Sequence, residues 1–227
     1  MDLVDVIIVA GGVGRRFGGK KQFSEIMGVP VLRRSVSIFQ DHPVVKDIVV
    51  VVPDEDIATT RKIIADMDRV SHIEPGGESR QLSVWNGLSS IAGNRLVMIH
   101  DGVRPIVSKE LIDRVVGGIR GFDACIPVLP LSDTIKEVDK GIVRRTVQRD
   151  NIYRVQTPQI FDYNMLVRAH RLAMETGVKD ASDDSLLVES AGGHVSVVDG
   201  EVFNIKITFE ADLILAEGIL RCLSGLE

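Results

Sequence analysis

The chain has 227 residues, 44% of them hydrophobic, and a formal net charge of −5. That length fits one large α/β domain over residues 1–227, with a sizeable core. The acidic balance argues against a nucleic-acid binder, which needs a basic face to displace counterions from phosphates. No apolar run approaches the ~20 residues that span a bilayer, and the N-terminus runs straight into a strand-like segment without a basic region or cleavage site. A cytoplasmic protein with no membrane segment is expected. Cys125 and Cys222 lie far apart without Cys-x-x-Cys spacing, so two buried thiols are expected.

The first apolar run, Val4 to Ala10, reads as a strand, and Leu32 to Phe39 as a helix. The alternation continues with a strand at Ile48 to Val52, a helix around Ile57 to Met67 and another around Ser83 to Ile91. It goes on through a strand at Leu96 to Ile99, a helix at Leu111 to Ile119 and a strand at Ala124 to Leu129. Short runs rich in Val and Ile predict parallel strands buried on both faces. Their alternation with helices predicts a doubly wound, mostly parallel sheet, with ligands at the carboxyl ends of the strands. The stretch Leu131 to Asn151 is polar and alternating, turns at Asp139-Lys140-Gly141, and reads as a protruding β-hairpin arm. Exposed edges of such an arm are a liability, and a partner subunit is the simplest cover. A helix is expected after Phe161, strands at His194 to Val198 and Phe203 to Ile207, and a last helix around Ala211 to Leu220.

Chemistry concentrates at the ends of these strands. The first is followed by Ala10, Gly11, Gly12, Val13, Gly14, Arg15, Arg16, Phe17, Gly18, Gly19, Lys20 and Lys21. Glycines let backbone N–H groups approach phosphate while Arg and Lys supply charge, a combination that suits a triphosphate. The Rossmann spacing fails because Arg15, Arg16 and Phe17 separate Gly14 from Gly18, and the P-loop spacing fails at Lys21, where Ser or Thr would hold magnesium. A glycine turn with solvated charges is the competing reading.

In Gly76-Gly77-Glu78-Ser79-Arg80-Gln81-Leu82-Ser83, Ser79 caps a helix and Ser83 lies one turn in, placing polar groups near the strand ends; ordinary capping competes. Trp85 reads as core. In His100-Asp101-Gly102-Val103-Arg104-Pro105, Asp101 at the end of a central strand suits a ribose hydroxyl or magnesium riding on phosphates, against a simple pair with Arg104. His100 reads as a structural hydrogen bonder. Thr134, Arg149, Thr157, Ser182, Lys206 and Thr208 are too scattered for spacing alone to join them.

Together GGESRQLSVWNGL, HDGVRP, VQTPQIF and FNIKIT, in that order from about Val6 to Glu217, resemble the 2-C-methyl-D-erythritol 4-phosphate cytidylyltransferases. The resemblance implies a Rossmann-like nucleotidyltransferase of the methylerythritol phosphate route to isoprene units. It would move CMP from CTP to a polyol phosphate and release pyrophosphate. It further implies Mg2+ carried mainly by the CTP phosphates, and a homodimer with exchanged hairpin arms. By motif position, Arg16 and Lys21 would stabilise the transition state, with Arg149 and Lys206 positioning the acceptor for attack. Ala10, Gly11, Gly12, Gly14, Gly77, Ser83, Asp101 and Gly102 would surround the nucleotide, and Thr134, Thr157, Ser182 and Thr208 would complete the acceptor pocket. The chain departs from the family pattern at Gly11 and Ser182, where Ala and Thr are common, and at Lys20, where Pro is. The ribitol-5-phosphate cytidylyltransferases are similar in their loops, but the Arg80–Ser83–Val84 string and Ser182-Asp183-Asp184 resemble the methylerythritol branch more. A non-catalytic nucleotide sensor is the alternative of another class, against which the retained Arg16, Lys21, Arg149 and Lys206 argue.

Overall fold

The structure, a computed structural model, describes residues 3–12, 17–93, 95–179 and 181–225. Its elements run β1 (Val4–Val9), β2 (Glu25–Ile26), β3 (Val29–Pro30), α1 (Val31–Gln40), β4 (Val45–Val52), α2 (Ile57–Ile63), β5 (Val70–Pro75), α3 (Arg80–Ser89) and β6 (Leu96–Asp101). They continue with α4 (Lys109–Gly118), β7 (Ala124–Pro130), β8 (Ile135–Asp139), β9 (Ile142–Val147), β10 (Tyr153–Val155), β11 (Gln159–Asp162), α5 (Tyr163–Glu175), α6 (Asp184–Ser190), β12 (Val195–Asp199) and α7 (Ala211–Ser224).

The nearly continuous apolar run of β1, broken only by the buried Asp5, exists because both of its faces are covered. Val4, Val6 and Ile8 join Leu32, Val36 and Phe39 of α1 and Leu111, Ile112 and Val115 of α4 in one buried cluster. Ile7 and Val9 point the other way, into Val84 and Leu88 of α3, Leu166 and Ala169 of α5, and Leu187 and Val188 of α6. A third cluster seats Ala216 and Ile219 of α7 against Ile26, Val31, Val103 and Ile207. Strand β1 lies at the centre, parallel to β4 and β6, with β5 parallel on the far side of β4. Strand β11 runs antiparallel between β6 and β7, β10 also pairs antiparallel with β7, and β12 pairs parallel with β7. The carboxyl ends of β1, β4 and β6 therefore open on one side of the sheet, where ligands are held in folds of this class.

The hairpin forms where the sequence places it. Strands β8 and β9 pair antiparallel, and the two residues between them, Lys140 and Gly141, have φ of 50° and 80°. Two successive positive-φ residues are what a tight hairpin turn demands, and Gly141 supplies one at no steric cost. Val138, Ile142 and Val143 on this arm are exposed.

Two expectations fail. Phe203 to Ile207 is not a strand: its polar groups go to side chains and a turn, with Asn204 O accepting from Arg104 and Gln156, and Ile207 N donating to Val103 O. Cys125 is buried, but Cys222 is exposed on α7, whose inner face is already filled by Ala216 and Ile219. Trp85 packs against the second cluster beside the His170 ring.

Because Ile8 is completely buried between β4, α1 and α4, truncation should leave a cavity rather than a collapsed site. Ile8→Ala is expected to cost about 2–5 kcal/mol in urea unfolding and Ile8→Val about 0.5–1.5 kcal/mol. A loss below about 1 kcal/mol for the alanine variant would contradict the packing described.

Candidate active site

Two strand ends, the start of a helix and irregular segments meet at a cleft of about 330 Å³, lined by Ala10, Gly11 and Gly12 after β1, Phe17, Lys21 and Gln22, Arg80 of α3, Asp101 of β6, and Lys206 and Thr208. Gly14 and Arg16 lie outside the described residues. A second pocket of about 220 Å³ is lined by Thr157, Gln159, Ser182 and Asp183 together with Arg80, Asp101 and Lys206. Arg80, Asp101 and Lys206 thus form the wall shared by the two.

Close backbone approach shapes the floor. A Cβ at Gly102 would sit 2.8 Å from Ala10 Cβ, and one at Gly77 would sit 2.4 Å from Leu82 Cβ. Neither position tolerates a side chain without a shift. Among the described residues a Cβ at Gly12 would meet no atom within 4 Å, and Gly12 lines the cleft. Ser79 caps α3 by accepting from Leu82 N at 3.2 Å. Ser83 Oγ donates to Ser79 O at 2.9 Å and accepts from Gly77 N at 3.1 Å, so its proton fastens the turn that leads into α3. Gly77, Ser83 and Gly102 stand behind the lining rather than in it.

The charged centre is Asp101. Its carboxylate receives Lys206 Nζ at 3.0 Å and Arg104 Nε at 3.2 Å on Oδ2, and Arg80 Nε at 3.5 Å on Oδ1. Burial pushes this carboxyl upward, but Lys206, Arg80 and Arg104 outweigh burial and hold it well below the usual carboxylate range. Arg80 is itself held from behind: its NH1 donates to buried Asp184 Oδ2 at 2.6 Å, and Asp184 Oδ1 meets His170 Nε2 at 3.1 Å. Burial disfavours the Arg80 charge, yet Asp184 and Asp101 raise its pKa beyond the ordinary arginine value.

The neighbouring lysines of the loop diverge. Lys20 Nζ reaches Asp56 at 2.5 Å and Glu55 at 3.4 Å, away from the cleft, whereas Lys21 lines it and donates to Ile207 O at 2.7 Å. Thr208 is set at the start of α7 by Asp212, which accepts from its N–H at 2.7 Å. Thr134 and Arg149 are exposed on the arm and line neither pocket, and Arg149 is bonded to Ser132 O. The chain by itself therefore brings Lys21, Asp101, Lys206 and Thr208 together, and leaves Thr134 and Arg149 apart.

Sequence reading missed Arg80, Arg104 and Asp184 as site residues. The first two sit inside quoted motifs at a helix start and just after a strand end. Asp184 follows the capping residue Asp183 in a Ser-Asp-Asp run before an apolar stretch, a helix-start signal.

The geometry has close counterparts. The family model described as 2-C-methyl-D-erythritol 4-phosphate cytidylyltransferase matches residues 4–222. Proteins named 2-C-methyl-D-erythritol 4-phosphate cytidylyltransferase from Bacillus licheniformis and Carboxydothermus hydrogenoformans are 36% and 38% identical, each match covering 96% of this chain and 95% of the relative. The crystal structure of 4-diphosphocytidyl-2C-methyl-D-erythritol synthase from Anaerococcus prevotii superposes with a TM-score of 0.85 at 31% identity, covering 97% of this chain and 99% of that one. That of the Thermus thermophilus cytidylyltransferase gives 0.81 at 33% identity, covering 97% and 100%. With its strand-end cleft, its convergent cations and these matches over nearly its whole length, the chain belongs to the 2-C-methyl-D-erythritol 4-phosphate cytidylyltransferase family.

Proposed function

We propose that this chain transfers CMP from CTP to 2-C-methyl-D-erythritol 4-phosphate and releases pyrophosphate. The observation that carries the reading is the pair of adjoining pockets with a common wall of Arg80, Asp101 and Lys206, in a chain matched by that family from residue 4 to 222. In this reading the glycine-lined cleft takes the nucleotide against Ala10, Gly11, Gly12 and Asp101, with Gly14 in the same loop and Gly77, Ser83 and Gly102 shaping its floor. The second pocket takes the acceptor phosphate beside Lys206, Ser182 and Thr157, with Thr208 nearby.

An oxygen of the acceptor phosphate attacks the α-phosphorus of CTP while the bond to the pyrophosphate leaving group breaks. The nucleophile is already anionic, so no side chain has to remove a proton. Catalysis then rests on alignment and on cations placed where charge develops. Lys21 and Arg16 supply that charge on the nucleotide side, and Lys206 holds the acceptor across the shared wall. Among the described residues no group of three or more His, Cys, Asp or Glu side chains could hold a metal ion. Asp101 is already engaged by three basic side chains. The proposal therefore puts Mg2+ on the CTP phosphates, where it would neutralise part of their charge. Among the described residues no helix is long and apolar enough to cross a membrane; cytoplasmic residence belongs to the same proposal.

Thr134 and Arg149 enter the reading through a second copy of the chain. The arm exposes Val138, Ile142 and Val143, and Arg149 stands at its base, so a two-fold dimer that exchanges arms would cover the apolar residues and deliver Arg149 to the partner's acceptor pocket.

Purified protein is expected to release pyrophosphate when given CTP with methylerythritol phosphate, and Lys21→Ala to lower kcat by about 10²–10³. Turnover with ribitol 5-phosphate alone would overturn the acceptor, and turnover with neither would leave a nucleotide sensor. Arm exchange is tested by mixing Lys21→Ala subunits with Arg149→Ala subunits. One site of each mixed dimer then carries both defects and the other carries none, so random exchange should restore roughly a quarter of the wild-type activity. No recovery, with exchange verified by tagged subunits, would place Arg149 in its own subunit's site or outside the site.

A further inference from the structure

Thr157 lines the acceptor-side pocket, yet its hydroxyl is turned to the interior. Continuing the register of β11 on β6, where Gln159 faces Ile99, sets Thr157 opposite Asp101. Pro158 has no N–H, and the regular ladder stops at Gln159. The last amide of β6 instead finds a side chain: Asp101 N donates to Thr157 Oγ1 at 3.0 Å. The same oxygen lies 2.9 Å from His100 Nδ1.

His100 is fully buried, and its ring packs 4.9 Å from that of Phe39, which fixes the plane of the imidazole. Its other nitrogen, Nε2, is 3.2 Å from Arg104 O. A carbonyl can only accept, so Nε2 carries the proton. Burial keeps the ring neutral by lowering its pKa to about 4, so Nδ1 is bare and must accept. The single hydroxyl proton of Thr157 is then spoken for. A closed circuit results: His100 holds Thr157 and the Arg104 carbonyl, Thr157 holds the Asp101 amide, and the Arg104 guanidinium holds the Asp101 carboxylate at 3.2 Å. Asn204 closes the other side, its Nδ2 donating to Thr157 O at 2.8 Å.

We infer that His100 and Thr157 are positioning residues: through the Nε2–H tautomer of His100, the Thr157 hydroxyl fixes Asp101 for the reaction instead of donating to the acceptor phosphate. The inference rests on the reading of Asp101 as part of the transfer site.

The tautomer is read in the unmodified protein by histidine-selective ¹⁵N NMR at neutral pH, with the His100 ring assigned by its contact with Phe39. A protonated Nε2 and a bare Nδ1 are expected; a protonated Nδ1 would overturn the inference. Steady-state kinetics of two variants give the consequence. Thr157→Ser, which keeps the hydroxyl, should stay within about twofold of wild type, and Thr157→Val should lose about tenfold in kcat with both KM values little changed. Equal effects of the two variants, no effect of Thr157→Val, or a rise confined to KM for the acceptor would each overturn it, the last by making Thr157 a direct ligand contact. If the unmodified protein shows no cytidylyl transfer, the proposed function fails on its own, and the ring tautomer is still decided by NMR.

Discussion

Everything in this site is arranged around one buried carboxylate that three basic side chains keep ionised. Asp101 is only 6% exposed, and a charge so placed persists only when paired and hydrogen-bonded. Lys206, Arg104 and Arg80 supply the pairs, and each comes from a different part of the chain: a loop late in the sequence, the turn after β6, and the first residue of α3. The carboxylate therefore works as a joint. It pulls the loop around Lys206 against the central strand, and it orients the two cations that face both pockets.

The fold explains why this joint lies where it does. Parallel strands β1 and β6 end side by side, Val9 opposite Asp101, so the glycine loop and the acidic strand end are neighbours without any long-range adjustment. The loop is then pinned at its far end. Lys20 turns out to Asp56 at 2.5 Å, which leaves the next residue, Lys21, pointing inward to Ile207 O at 2.7 Å. Because Ile207 N also bonds to Val103 O, the segment bearing Lys206 and Thr208 is tied to the strand end and the loop at once.

The sheet was readable in the sequence because burial on both faces leaves short, nearly continuous apolar runs. The arm was readable because Lys140 and Gly141 must both take positive φ. Strand β5 was not, since His72 and Ser71 on this outer strand are exposed and break the apolar run. Phe203 to Ile207 misled for the opposite reason: the alternation of Phe203, Ile205 and Ile207 with Asn204 and Lys206 imitates a strand, but the residues actually buried, Asn204 and Ile207, are three apart and belong to a loop stitched by Arg104 and Gln156. Individual site residues were harder. Lys21 and Asp101 carry charge in the loop after β1 and at the end of β6, and Lys206 was reached only through its motif, whereas the task of Asp184 exists only because it reaches Arg80 across more than one hundred residues. Thr134 and Arg149 have no place in the cleft of a single chain, and no spacing in the sequence could have located them.

The most direct measurement is a double-mutant cycle on kcat/KM with Asp101→Asn and Lys206→Met. If Asp101 orients Lys206, losing the lysine should matter much less once the carboxylate is gone. A coupling of about 1–3 kcal/mol is expected for a contacting pair of which one member is buried and the other partly exposed. Effects that add to within about 0.5 kcal/mol would show that the two residues act independently, and would contradict the account of Asp101 as the joint of the site.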